Sequence, residues 1–203
     1  MSLINPSWTD EDATHSYLPL YTELFARLRT TAKNVLEIGI ERGESVAPWN
    51  YYFENATIHG LDCMSYDNVW TELKKMKRVN LNTVSDADAV KPVSYCVNMI
   101  TDCEAYTIKP VSYFKQKGIR FDVMIDDGPH TLESMLIFVQ NYLPLLSDNG
   151  ILIVEDISQD NFLAPLLMAI PPHMRKYATV HDLHRQKILV IDLVHSTSHP
   201  EKV

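Results

Sequence analysis

Apolar, β-branched runs recur along the chain with helix-periodic stretches between them. Residues 33–38 (KNVLEI), 56–61 (ATIHGL), 95–100, 121–125 and 151–154 predict five strands. Residues 177–183 and 187–194 follow with only three residues between them and predict a closing hairpin. Helices are predicted over 45–53, 66–76, 111–117, 131–146 and 161–170. A further helix over about 15–28 carries Leu20, Leu24, Phe25 and Leu28 on one face. The polar stretch 81–93 reads as a surface loop. Alternation of strand and helix implies right-handed crossovers and an α/β, doubly wound, mostly parallel sheet, with one antiparallel strand added by the hairpin.

The most telling chemistry sits where two apolar runs end. Phe121–Ile125 runs into Asp126-Asp127-Gly128-Pro129-His130, and Gly150–Val154 runs into Glu155-Asp156. In an open parallel sheet the carboxyl ends of the strands share one rim, where ligands bind. Four carboxylates and an imidazole on one rim repel unless a positive charge sits among them, most simply a divalent cation on oxygen ligands.

Strand one ends in the turn Glu37-Ile38-Gly39-Ile40-Glu41-Arg42-Gly43-Glu44-Ser45, where glycines permit tight geometry and close approach of a ligand. Strand two ends in Asp62, suited to accept from a ribose diol, or equally to act as a turn aspartate. Asp102, with Glu104 and Tyr106 after it, ends the third strand; it either accepts from an adenine amino group or lies in a solvated loop.

Composition narrows the classes. The chain has 203 residues, 46% of them hydrophobic, which suits one compact domain. A net charge of -8 argues against a phosphate-tracking nucleic-acid surface. Cys63, Cys96 and Cys103 have no metal-ligand spacing and read as reduced thiols of a cytoplasmic protein. No apolar run approaches the roughly 18 residues a membrane helix needs, and the acidic N-terminus is unlike a signal peptide.

Taken together, THSYLPLY (14–21), VLEIGIERGES (35–45), WNYYFENATIHGLD (49–62), FDVMIDDGPH (121–130) and NGILIVED (149–156) resemble class I S-adenosylmethionine-dependent methyltransferases. More narrowly, they resemble the metal-dependent sugar O-methyltransferases typified by macrocin and rhamnosyl O-methyltransferases, over about residues 9–195. The resemblance implies a seven-stranded Rossmann-like methyltransferase sheet with the C-terminal antiparallel hairpin, as a single domain over 1–203 with an N-terminal helical segment at about 9–31 and the sheet core at about 33–195. It implies that Glu37, Gly39, Gly43 and Ser45 form the cofactor loop, Asp62 the ribose acid, Asp102 the adenine-side acid, and Asp126 the contact to the methionyl end. Tyr17 falls in the segment that closes the cofactor site in relatives. Asp127, Glu155 and Asp156 match the ligands of Mg²⁺ or Mn²⁺, and His130 matches the general base. Two departures stand out: the turn lacks the middle glycine of E-x-G-x-G-x-G, and Glu11 stands where relatives often carry Lys.

The implied acceptor is a small molecule or glycan with a free, vicinal hydroxyl, and the implied setting is a homo-oligomer or part of a larger glycan-modifying polypeptide. Such a reaction needs a deprotonated alcohol; a bound dication lowers the pKa of its oxygen ligand, and neutral imidazole, with a pKa of about 6.5, takes up the proton. The alternatives are a catechol-type or natural-product O-methyltransferase, a Rossmann-like oxidoreductase (against which the turn spacing argues), and a non-catalytic cofactor- or carbohydrate-binding module.

Overall fold

The computed structural model describes residues 17–62, 71, 73–81, 108–183 and 186–195. Seven strands form one sheet in the order β3-β2-β1-β4-β5-β7-β6. They are β1 Asn34–Ile38, β2 Thr57–Leu61, β3 Val79–Asn80, β4 Phe121–Asp126, β5 Leu146–Ile157, β6 Ala178–Leu183 and β7 Gln186–Asp192. β1 to β5 run parallel, and β7 is antiparallel to both its neighbours. The predicted hairpin is therefore present, and it inserts its second strand between β5 and β6.

Helices cover both faces: α1 Leu18–Phe25, α2 Val46–Tyr52, α3 Ile108–Gln116, α4 Leu132–Tyr142 and α5 Leu163–Ala169. Successive strand residues point to opposite faces. Val35, Ile58, Val123, Ile125 and Ile153 thus join Tyr21 and Phe25 of α1 and Trp49 of α2 in one core cluster. Leu36, Ile38, Met124, Leu152 and Val154 join Phe114 of α3, Phe138 of α4 and Leu166 of α5 in the other. α1 opens with Pro19 in its first turn, where a missing N–H costs nothing. α2 ends against Arg78, whose guanidinium donates to Phe53 O at 2.6 Å and Ala56 O at 2.8 Å.

Several boundaries differ from expectation. The third strand of the sheet is Val79–Asn80, held by pairing Ile58 with Val79 and His59 with Asn80. The predicted strand at 95–100, the loop at 81–93 beyond Leu81 and Asp102 lie outside the described residues. The helix expected to run through 146 ends at Tyr142; Leu143–Leu145 tightens into a 3₁₀ turn carrying Pro144, which has no N–H to continue the ladder. β5 starts at once and is 12 residues long. His59 is a core histidine: it is 3% exposed between Phe114 and Phe121, and burial pushes its pKa down to about 4. No helix among the described residues is long and apolar enough to cross a membrane.

Candidate active site

The carboxyl ends of β1, β2, β4 and β5 form one rim, as expected of this topology. β1 and β4 are locked in register (Ile38 opposite Asp126), and Asp127 N–H donates to Ile38 O at 2.9 Å. The turn after β1 passes against this second tip. Gly39 has φ +92°, and a Cβ there would lie 1.9 Å from the Asp127 carbonyl oxygen. A side chain at 39 is thus excluded twice, by backbone conformation and by space. Gly39 N–H donates to Leu61 O at 2.9 Å, and Glu41 N–H donates to Asp62 Oδ2 at 2.6 Å, so the turn is also tied to the tip of β2. Gly43, at φ +88°, donates to Ile40 O, and Ser45 stands immediately before α2. Glu37 and Asp126 are buried at the ends of their strands.

β4 and β5 bring the acids and the imidazole together. Asp127, His130 and Asp156 each offer one ligand atom, all within 4.8 Å of one another. His130 Nε2 lies 3.8 Å from Asp127 Oδ1 and 3.6 Å from Asp156 Oδ2. α4 is capped by Thr131, whose side chain accepts from Ser134 N–H, so His130 and Pro129 precede the helix.

Glu155 stands outside this group. Its Oε1 accepts from the Tyr21 hydroxyl, on the α1 face of the strand. Tyr17, just before α1, donates to Asp156 Oδ1. Tyr17 Oη also lies 2.7 Å from Gln186 Oε1; a phenol has one proton, so with Asp156 receiving it the Gln186 amide serves best turned to present its N–H. Burial, then the bond to Asp156 and the charges of Asp156, Glu155 and Asp127, hold the Tyr17 phenol well above its ordinary pKa. It is a donor at any physiological pH.

The described residues with positive φ that are not glycine are Glu41, His130 and Asp156, at 45°, 55° and 54°. All three lie on this rim. Left-handed backbone costs a non-glycine residue on the order of 1 kcal/mol, and such strain persists where surroundings over-determine it.

Sequence reasoning thus located the acids and the imidazole, and the structure brings Asp127, His130 and Asp156 together. It missed Tyr21, and for Tyr17, expected in the segment that closes the cofactor site, the structure shows a bond from its hydroxyl to Asp156. The i, i+4 spacing of Tyr17, Tyr21 and Phe25 was the available signal, since such residues share one helix face.

No protein-family model matches the chain. The 8-demethyl-8-alpha-L-rhamnosyl tetracenomycin-C 2'-O-methyltransferase of Streptomyces olivaceus is 26% identical over 160 residues, 73% of this chain and 35% of that protein. The corresponding 3'-O-methyltransferase acting on the 2-methoxy-rhamnosyl compound, from the same organism, is 26% identical over 150 residues, 70% of this chain and 32% of that protein. The chain therefore spans about a third of the length of these curated relatives. Among solved structures, the MycE methyltransferase of the mycinamycin pathway, in complex with Mg, SAH and mycinamycin VI, superposes with TM-score 0.67 at 18% identity, covering 94% of this chain and 52% of that one. The Burkholderia thailandensis 1,6-didemethyltoxoflavin-N1-methyltransferase gives TM-score 0.51 at 19% identity, covering 91% and 79%. The chain has the fold of the class I S-adenosylmethionine-dependent methyltransferases and resembles the sugar-modifying O-methyltransferases among them.

Proposed function

We propose that this chain is the catalytic domain of an S-adenosylmethionine- and Mg²⁺-dependent O-methyltransferase acting on a hydroxyl of a sugar or glycan. The carrying observation is the convergence of Asp127, His130 and Asp156 beside the Gly39 turn. The Asp127 and Asp156 carboxylate oxygens, within 4.8 Å of one another, suit a single ion with bonds of about 2.0–2.6 Å, with the His130 imidazole left beside it as the base. Two carboxylates favour Mg²⁺ or Mn²⁺ over zinc, which prefers Cys and His. The acids of the rim, Asp127, Glu155 and Asp156, supply the negative charge; Asp127 and Asp156 are the two whose oxygens face a common point with His130.

When bound, the cofactor supplies an electrophilic methyl group and the cation acidifies the acceptor oxygen. The chain's residues do the rest. Gly39, Gly43 and Ser45 leave the backbone of the first turn open to the cofactor, Glu37 and Asp126 flank it from the strand ends, and Asp62 accepts from the ribose while bracing the turn through Glu41 N–H. His130 takes the hydroxyl proton at Nε2, the nitrogen that faces Asp127 and Asp156. Vicinal hydroxyls on the acceptor allow it to be oriented as well as acidified. The likeness to enzymes named for rhamnosyl and mycinamycin substrates supports a sugar-bearing acceptor, and the setting proposed with it is the cytoplasm.

The test is mass-spectrometric detection of methyl transfer to a panel of glycosides with added Mg²⁺, beside calorimetric titration with S-adenosylhomocysteine. His130→Ala is expected to keep product affinity while methyl transfer falls about 10²–10⁴-fold. Undiminished turnover in His130→Ala, or full activity in excess chelator, would overturn the corresponding role.

A further inference from the structure

We infer that Tyr17 is a positioning residue for the cation group: its hydroxyl fixes the Asp156 carboxylate so that one oxygen is committed to the N-terminal helix and the other faces Asp127 and His130. This rests on the proposed reading of Asp127 and Asp156 as a cation site. The two oxygens of Asp156 are divided between partners. Oδ1 accepts from Tyr17, and Oδ2 is the atom 3.6 Å from His130 Nε2. A carboxylate has free rotation about its last bond unless something holds it, and here the holder is a phenol from the far end of the chain.

The phenol is itself held. Tyr17 is 2% exposed, and its ring lies 6.0 Å from that of Tyr21. Tyr21 stacks on Phe25 at 5.0 Å, meets Trp49 edge-on at 5.7 Å, and bonds Glu155 with its own hydroxyl. α1 thus arrives at the β5 tip as a braced arm, with phenols one helical turn apart on consecutive acids. Partners of metal-binding side chains that set their orientation commonly change metal affinity about 10–100-fold when removed.

The full chain, without cofactor, is titrated with Mn²⁺ and the free ion is followed by electron paramagnetic resonance, with thermal unfolding measured in parallel. Tyr17→Phe keeps the ring and removes one oxygen; its Mn²⁺ dissociation constant is expected to rise about tenfold or more. Gln186→Leu disturbs the same phenol from β7 and is expected to weaken binding in the same direction by a smaller factor. Leu24→Ala loosens α1 without touching the acids; its melting temperature is expected to fall while Mn²⁺ affinity stays at the wild-type value. Unchanged affinity in Tyr17→Phe and Gln186→Leu overturns the inference alone. An equal loss in Leu24→Ala also overturns it, because helix packing in general would then be the cause. Failure of the wild-type chain to bind Mn²⁺ overturns the cation reading and takes this one with it.

Discussion

The two rims of the sheet arrange their acids differently. At the amino-end rim two carboxylates, Asp122 and Asp192, are bound into local structural networks. Asp122 accepts from Lys33 N–H at 2.7 Å, Asn34 N–H at 3.1 Å and the Ser147 hydroxyl at 2.9 Å. Asp192 accepts from Arg27 at 2.6 Å and Val194 N–H at 3.0 Å, and lies 2.8 Å from His195 Nδ1. At the carboxyl-end rim, acids from two strands converge on one another and on His130, and the backbone beneath is bent into left-handed conformations. One rim spends its charges on staying folded. The other gathers acids from two strands around one imidazole.

Gly39→Ala tests the contrast with the largest expected effect. Its Cβ would strike Asp127 O at 1.9 Å on a backbone of φ +92°, so the tips of β1 and β4 must part. A loss on the order of 3 kcal/mol is expected from strain and clash together. Denaturant unfolding measures it, and a loss under about 1 kcal/mol would show that the tips are not rigidly apposed.

Asp192→Asn comes next and should act on the other rim alone. Burial by itself would raise the Asp192 pKa, but the bonds from His195 and Val194 N–H and the charge of Arg27 bring it below the ordinary value. A depressed folded pKa adds stability that is complete above the unfolded value of about 3.9 and is lost as pH falls through the folded one. The variant should therefore be less stable than wild type by about 1–3 kcal/mol near neutrality, with the difference shrinking below about pH 4. Mn²⁺ affinity should not change. A difference that grows towards acid pH would reverse the sign of the argument.

The smallest effect marks the baseline. Arg29 and Glu54 meet at 3.1 Å on the surface, with side chains 37% and 48% exposed. Glu54→Gln should cost no more than about 0.5 kcal/mol in the same unfolding assay and should be indifferent to which rim it adjoins.

The sheet was legible wherever a strand is buried on both faces, because such strands read as continuous apolar runs: NVLEI, FDVMI and ILIV all lie in β1, β4 and β5. β3 was not, since two residues carry no periodicity and Val79–Asn80 is extended because β2 offers it a partner. The helix that should have reached 146 stopped at a proline visible in the sequence, outvoted there by the apolar pattern around it. At the site, the acids and His130 were readable because strand ends are predictable places. Which acid meets which donor was not: Tyr21 reaches Glu155 across 134 positions and Tyr17 reaches Asp156 across 139, and only the packing of α1 decides that.

The left-handed backbone at His130 and Asp156 carries a practical corollary for anyone seeking a hardier version of the molecule. Glycine at His130 would relax the chain by roughly 1 kcal/mol, whereas at Asp156 it would also remove the acceptor of the buried Tyr17 hydroxyl and gain nothing. On the proposed reading the replacement at His130 would delete the base, so a selection for heat resistance would work against methyl transfer.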